Sequence, residues 1–263
     1  MRMSKLVQLT KQDGVATVTI DNPPMNVLST HVAQAIKDVL LQIKEDPEVI
    51  AVIVTGNGDR AFMAGADIKE FPGWIELGKE EVRKIAKANH EVFNLIEDLR
   101  QPTIALLNGF TLGGGCELAL ACDIRIAEEH AKLGLPEVNL GLFPGAGGTQ
   151  RLPKLVGPAK AKEIMFLGEA ISANESLSIG LVNQVVPKGE GMGAAKSMAQ
   201  KIAGQSLQAL SRIKKAVNEG ADQPLDSALE LELNLFVDIF STEDVREGVQ
   251  AFIEKRAAKF THK

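Results

Sequence analysis

Residues Val15 to Ile20 (Val-Ala-Thr-Val-Thr-Ile) alternate along the chain and run into Asp21-Asn22-Pro23-Pro24. β-branched alternation followed by a turn cluster predicts a strand and its end. The chain thus enters a strand-like pattern within about ten residues of Lys5. Val32, Ile36, Val39, Leu40 and Ile43 then recur at helical spacing, with Ser29 or Thr30 available as the cap and Pro47 as the stop. Ile50 to Thr55 is a short continuous apolar run ahead of Gly56, as expected of a strand buried on both faces.

The alternation then repeats. Val82, Ile85, Val92, Phe93, Ile96 and Leu99 mark a long helix that Pro102 breaks, and Thr103 to Leu107 reads as a second buried strand. A glycine run and the apolar stretch Cys116 to Cys122 predict another helix, and Asp123 to Ala127 another strand. Strands alternating with helices indicate an α/β core.

Beyond about residue 190 the strand signals cease. Leu225, Leu229, Leu233, Phe236 and Phe240 share one helical face behind Pro224. Ser241-Thr-Glu-Asp244 reads as a capping box opening a last helix, with Val245, Val249, Phe252 and Ile253 on its apolar side. Two such helices need a partner surface, either the core or a neighbouring subunit. The expected division is a core over residues 1–190 and a helical region over 191–263. No low-complexity segment and no fixed-period repeat is evident.

Composition narrows the function classes. Apolar residues are 45% and charged residues 24% of the 263, ordinary for a globular protein, while tyrosine is absent and tryptophan occurs once, so the core is aliphatic. A net charge of −5 argues against a broad nucleic-acid-binding face. The two cysteines, Cys116 and Cys122, sit in an apolar segment without a CxxC or Cys/His cluster, which reads as buried thiols. The opening Met1-Arg2-Met3-Ser4-Lys5 shows no targeting pattern, and no apolar run has transmembrane length; cytoplasmic residence is the expectation.

Three segments carry candidate chemistry. In Ala61 to Glu70, Asp67 and Glu70 have the spacing of a capping pair, which alone accounts for a turn entering a helix. The functional alternative is that Gly65 and Ala66 leave a main-chain N–H open to a substrate oxygen. In Asn108 to Asp123, Gly113, Gly114 and Gly115 lie between a strand and a helix, and amides at a helix start lack intrahelical partners. Glu117 follows three residues after Gly114. It is either on an exposed stripe or buried; taken singly the exposed stripe is favoured, because ionised glutamates are seldom fully buried. Burial would raise its pKa toward working pH and suit it to acid–base chemistry.

The third segment, Gly134 to Arg151, sets Glu137 among proline, glycine and apolar residues on a shaped loop. Gly145-Ala-Gly-Gly148 fits neither a dinucleotide nor a phosphate loop and reads as a tight turn into a helix. His31, His90, His130 and His262 are scattered and read as solvated, no zincin pair follows His90-Glu91, and no G-x-S-x-G elbow exists. Two isolated carboxylates and two small-residue amide sites remain, a set suited to proton transfer beside an oxyanion.

These segments resemble the crotonase (enoyl-CoA hydratase/isomerase) family. Ala64-Gly-Ala-Asp-Ile-Lys69, Asn108-Gly-x-x-Leu-Gly-Gly-Gly-Cys-Glu117, Pro136-Glu137, Pro144-Gly-Ala-Gly-Gly-Thr-Gln-Arg151 and the C-terminal stretch Glu243 to Arg256 all resemble its signature segments, in the family order. The resemblance implies a crotonase-like spiral of β-β-α units with a C-terminal helical trimerisation region, and a homotrimer or a hexamer of two trimers. It implies an oxyanion hole at the N–H groups of Ala66 and Gly114, and a carboxylate pair, Glu117 and Glu137, that holds and activates water, with Glu137 delivering the proton to the α-carbon.

Further residues follow by the same resemblance. Gly145 helps shape the water site, and Lys69 lies beside bound CoA with Ala64, Asp67 and Ile68 in the same substrate-binding stretch. Phe252 and Lys255 correspond to positions at the acyl tail and the CoA phosphate. The implied substrate is an acyl-CoA thioester, with no metal and no cofactor beyond the CoA it carries, and no membrane partner.

The sequence departs from some relatives at Leu135, where some hydratases carry glutamine, and in a longer stretch from Asp67 to Pro102 that includes Trp74. The nearest rival activity is isomerisation of a 3-enoyl-CoA, which needs one carboxylate, at Glu137; retention of Glu117 favours hydration. A second rival is an RNA-associating relative. Its basic spots, Lys214-Lys215 and Lys160 with Lys162, lack interleaved aromatics and read as solvated helix faces, so no nucleic-acid partner is expected.

Overall fold

The computed structural model describes residues 6–263; the opening segment read above as free of targeting signals lies outside them. The first strands, β1 (Val7–Gln12) and β2 (Val15–Ile20), form an antiparallel hairpin. Its two-residue turn, Asp13-Gly14, has φ of 49° and 77°. Positive φ at both turn positions matches the right-handed twist of the flanking strands.

From there the chain advances through α1 (Thr30–Glu45), β3 (Ala51–Gly56), β4 (Ala61–Ala64), α2 (Phe71–Ile75) and α3 (Lys79–Glu97). The next units are β5 (Thr103–Leu107), β6 (Phe110–Leu112) and α4 (Gly114–Leu120), then β7 (Ile124–Glu128), β8 (Lys132–Gly134), α5 (Gly148–Val156) and α6 (Pro158–Leu167). β9 (Ile171–Ser172), α7 (Ala173–Ser178) and β10 (Gln184–Val186) complete the sheets, and α8 (Gly191–Ala203), α9 (Leu207–Gly220), α10 (Leu225–Ile239) and α11 (Glu243–Glu254) follow.

Each central unit gives its first strand to one sheet and its second to another. The six-stranded sheet runs β1-β2-β3-β5-β7-β10, and the four-stranded sheet runs β4-β6-β8-β9. All pairs are parallel except β1/β2 and β8/β9. This is the β-β-α spiral of the crotonase fold. The sequence pattern exposes the first sheet and hides the second, whose strands span two to four residues. Ala61–Ala64 in particular is a strand inside a segment whose pattern predicts only a turn entering a helix.

The long apolar runs are buried on both faces, as predicted. On one face Ile53, Ile104, Leu106 and Ile126 pack against Ala195 and Ala199 of α8. On the other, Val52, Val54, Ala105 and Leu107 join the apolar stripe of α1, the end of α3 and the interior of α4. Parallel strands covered on both sides need such continuous apolar sequence. Ser29, not Thr30, caps α1, its hydroxyl accepting from the Val32 N–H at 3.2 Å.

α4 lies so close to β4 that a Cβ on Gly115 would sit 1.9 Å from the Met63 carbonyl oxygen. Backbone cannot yield there as a side-chain tip could. Gly115→Ala is therefore expected to destabilise the fold by about 3 kcal/mol or more, through overpacking at a rigid contact. Denaturant titration checks this; an unchanged midpoint would mean α4 can move off β4 freely.

Two elements of the C-terminal region differ from the sequence expectation. The cap of α11 is Thr242, which accepts from the Val245 N–H, while Ser241 donates to the Asp238 carbonyl; the expected capping box does not form, because the residue three after the cap is Val245. Asp244 instead accepts from the N–H groups of Thr261 and His262 and from the Ser206 hydroxyl.

Lys214 is not on a solvated face. Its side chain is only 8% exposed, the ammonium 2.8 Å from Asp123 and near the carbonyls of Ile96 and Gln101, so it tacks α9 to the core. Lys160 is paired with Glu163 and Glu175. α10 packs on α9 and leaves Leu225, Leu229, Leu233, Phe236 and Phe240 each at least half exposed. No helix of the described residues is long and apolar enough to cross a membrane.

Candidate active site

Ala66 is placed by a single bridge to Leu28. The Leu28 N–H donates to the Gly65 carbonyl and the Leu28 carbonyl accepts from the Asp67 N–H, both at 2.8 Å. The bridge therefore uses the groups on either side of Ala66 and leaves the Ala66 N–H aimed elsewhere. Gly65, at φ 87°, makes the turn that permits this.

Across the four-stranded sheet, β6 ends at Gly113, whose φ of 51° redirects the chain into α4. Gly114 is the first residue of that helix, so its N–H has no intrahelical acceptor. A Cβ on Gly114 would lie 4.0 Å from the Ala66 nitrogen. The two amide sites singled out in the sequence thus adjoin each other, and the glycine leaves the space between them open.

Glu117 is one turn into α4 and is 3% exposed, which overturns the exposed-stripe alternative. Its Oε1 accepts from the N–H of Ala146 at 2.8 Å and of Gly148 at 2.9 Å. The donors come from the glycine turn before α5 and from the first residue of that helix, a tight turn into a helix as predicted. Pattern reading assigned this turn no partner. The signal was present: Gly147, at φ 110°, lets two nearby amides converge on one oxygen. Burial pushes the Glu117 carboxyl above its ordinary range, while the two N–H donors, His90 on α3 and Arg151 on α5 pull it back.

Glu137 sits in the 3₁₀ turn Pro136–Leu140. Its Oε1 would be 2.9 Å from a Cβ on Gly113, so the carboxyl lies across the bare backbone at the start of α4. Its Oε2 is buried without a hydrogen-bond partner. Burial, with Glu117 adding to it, pushes this carboxyl up to about 7. The contrast has a physical cause. One acid is gripped by two amides that favour its charged form, and the other is desolvated and half unpaired.

The remaining predicted residues are distributed unevenly. Ala64 ends β4, and Asp67 caps the 3₁₀ turn Ile68–Glu70 by accepting from the Lys69 N–H. Glu70 does not complete a capping box, because it accepts from Thr30. Ile68 and Lys69 are exposed beside Ala66. Gly145 precedes the Glu117 donors, and a Cβ there would meet only the Phe143 carbonyl oxygen, at 3.8 Å.

Phe252 and Lys255 lie on α11 and at its cap, with Phe252 86% exposed. The hydrogen bonds that tie α11 and the tail after it to the body of the chain run to residues 206–208. A cleft of about 540 Å³ between α9 and the core, lined by Leu120, Asp123, Arg151 and Lys214 among others, contains neither glutamate. Cys116 and Cys122 are buried free thiols pushed up to about 12 by burial. Among the described residues no three His, Cys, Asp or Glu side chains cluster as metal ligands.

Two amides facing one small space beside two carboxyls of unequal acidity can stabilise a developing oxyanion and pass a proton. The comparisons with known proteins agree with this chemistry. The family profile described as enoyl-CoA hydratase/isomerase matches residues 10–263. A short-chain-enoyl-CoA hydratase of Clostridium acetobutylicum is 46% identical over 251 residues, 95% of each chain. A crotonyl-CoA hydratase of Syntrophomonas wolfei is 44% identical over 256 residues, 97% of each chain. The crystal structure of an enoyl-CoA hydratase from Bacillus anthracis superposes with a TM-score of 0.93 at 39% identity, over 98% of this chain and 100% of that one. This chain belongs to the enoyl-CoA hydratase/isomerase family.

Proposed function

We propose that the protein is an enoyl-CoA hydratase, adding water reversibly across the double bond of a 2-enoyl-CoA to give a 3-hydroxyacyl-CoA. The observation that carries this is the retention of both acids in one place, with Glu117 accepting from two amides that favour its charged form and the Glu137 carboxyl pushed up to about 7. Water addition uses the first to orient and activate water at the β-carbon and the second to protonate the α-carbon.

As water attacks, negative charge gathers on the thioester oxygen, and the N–H groups of Ala66 and Gly114 are assigned to receive it. Preorganised donors of this kind are each worth about 10²–10³ in rate. The chain's own groups carry every step in this reading. Lys69 and Lys255 are assigned to the CoA phosphates and Phe252 to the acyl tail, with Ala64, Asp67 and Ile68 along the thioester and Gly145 at the water. The exposed apolar face of α10 supports a trimer or a hexamer, and residence is assigned to the cytoplasm. Light scattering gives the assembly mass as a multiple of 28.2 kDa.

Incubation with crotonyl-CoA is expected to remove the absorbance of the conjugated thioester at a steady rate. No loss of absorbance, together with turnover of a 3-enoyl-CoA, would replace the hydratase reading with the isomerase one. The firm seat of Glu117 is what favours hydration, since double-bond migration can proceed on Glu137 alone.

A further inference from the structure

The Glu117 donors are themselves held. Arg151, on α5, reaches back over the turn, where a Cβ on Gly147 would lie 2.1 Å from its Nη1. The guanidinium therefore lies against the residue between the two donating amides. Its Nη1 donates to the Ala146 carbonyl at 3.4 Å, a weak contact in keeping with stacking over the turn. Its other edge is fixed to α3: Nη2 donates to Asn94 Oδ1 at 2.8 Å, and Nε donates to Glu97 Oε2 at 3.1 Å with Nη2 bonded to the same oxygen. The side chain is 13% exposed.

We propose that Arg151 is a positioning residue for Glu117: its planar guanidinium clamps the Ala146–Gly148 turn to α3 and so fixes the two N–H donors that hold the catalytic carboxylate. The inference rests on the hydratase reading for its kinetic expression. The geometry sets out its parts. A fork of donors bridges a helix on one side and a turn on the other, which a single ammonium cannot do. Of its own side chains the turn gives the core only the Ala146 methyl, because Gly145, Gly147 and Gly148 supply none.

α3 is anchored only toward its end, at Val92, Phe93 and Ile96, while its first turns are largely exposed. Arg151 thus also couples the setting of Glu117 to the position of a helix that is loosely packed over half its length. The titratable groups that act on Glu117 are Glu137 from the 3₁₀ turn, His90 from α3 and Arg151 itself; Glu97 neutralises part of the guanidinium charge.

The test compares the full-length protein with Arg151→Met and Arg151→Lys, measuring kcat and KM for crotonyl-CoA across pH. Arg151→Met is expected to lower kcat by about 10- to 100-fold, with KM changed far less, because a misplaced catalytic group costs rate and not binding. Removing the cation and loosening the donors both raise the Glu117 pKa, so the acidic limb of the kcat profile should move up by about one pH unit. Arg151→Lys restores the charge and returns the limb toward its original place, while kcat stays low for want of the fork.

A folded Arg151→Met protein with the wild-type kcat and an unmoved limb would overturn the proposal, as would a loss confined to KM. If the wild-type protein hydrated no enoyl-CoA, that would defeat the functional reading alone. The clamp would still be read by the carboxyl-stretch infrared titration of Glu117, identified by its loss in Glu117→Gln: an upward shift in Arg151→Met supports it and an unchanged titration overturns it.

Discussion

Glu137→Gln is expected to lower kcat for crotonyl-CoA hydration about a thousandfold, within the range that a lost general acid–base group typically costs. The amide keeps the shape and the polarity of the carboxyl but has no proton to deliver to the α-carbon. CoA-ester binding should survive, because the side chain reaches the reacting carbon and not the CoA. Near-normal turnover in the variant would remove Glu137 from its role.

The same substitution has a stability signature. Glu137 is raised to about 7 in the fold. A carboxyl with a raised folded pKa contributes stability that is present below its unfolded value and lost as pH rises through the folded one. Wild-type protein should therefore lose stability between about pH 4.5 and pH 7 at this site, and Glu137→Gln should not. The half-open surroundings of the group screen the effect, so melting temperatures are expected to differ by about 1–3 °C in the variant's favour above pH 7 and to converge under acid. A variant less stable at high pH would contradict the burial argument.

Glu117→Gln is the second large loss, again about a thousandfold in kcat, since water is no longer activated by an ionised carboxylate. Here the amide oxygen can still accept from the Ala146 and Gly148 N–H groups, so the turn keeps its shape. Glu117→Ala would not preserve it. Two buried donors would lose their acceptor, and unsatisfied groups of this kind cost about 1–3 kcal/mol each. The expected pattern is an inactive but stable glutamine variant beside an inactive and destabilised alanine variant, read by parallel kinetics and denaturant titration. Equal stability of the two would mean that the turn finds other partners.

These variants act on residues that the sequence exposed unevenly. Glu117 and Glu137 stood out because each is an isolated charge among glycine and apolar residues, but pattern alone favoured an exposed Glu117. What reverses that preference is the turn at Gly147, thirty residues downstream, which no local window joins to α4. Arg151 was legible only as a member of a signature segment; its grip on Asn94 and Glu97 is a contact between α3 and α5 that needs the fold.

The six-stranded sheet was legible for a simple reason: its central strands are buried on both faces and therefore read as apolar runs. The four-stranded sheet was not, because β4, β6, β8 and β9 are too short to show a period. The β-β-α repeat entered only through the family resemblance and left no period in the pattern, since helical insertions of different length separate its units, with α2 and α3 standing where α4 alone serves the next. Lys214 misled in the opposite direction. A lysine pair looks solvated until Asp123 is brought beneath one of its members.

Difference infrared spectroscopy at about pH 6 reads most directly whether unequal surroundings keep one acid neutral and the other charged. The account predicts a single protonated-carboxyl stretch within the site, absent in Glu137→Gln, present in Glu117→Gln, and titrating away near neutrality. A stretch that vanished with Glu117→Gln instead, or two ionised carboxylates at that pH, would contradict it.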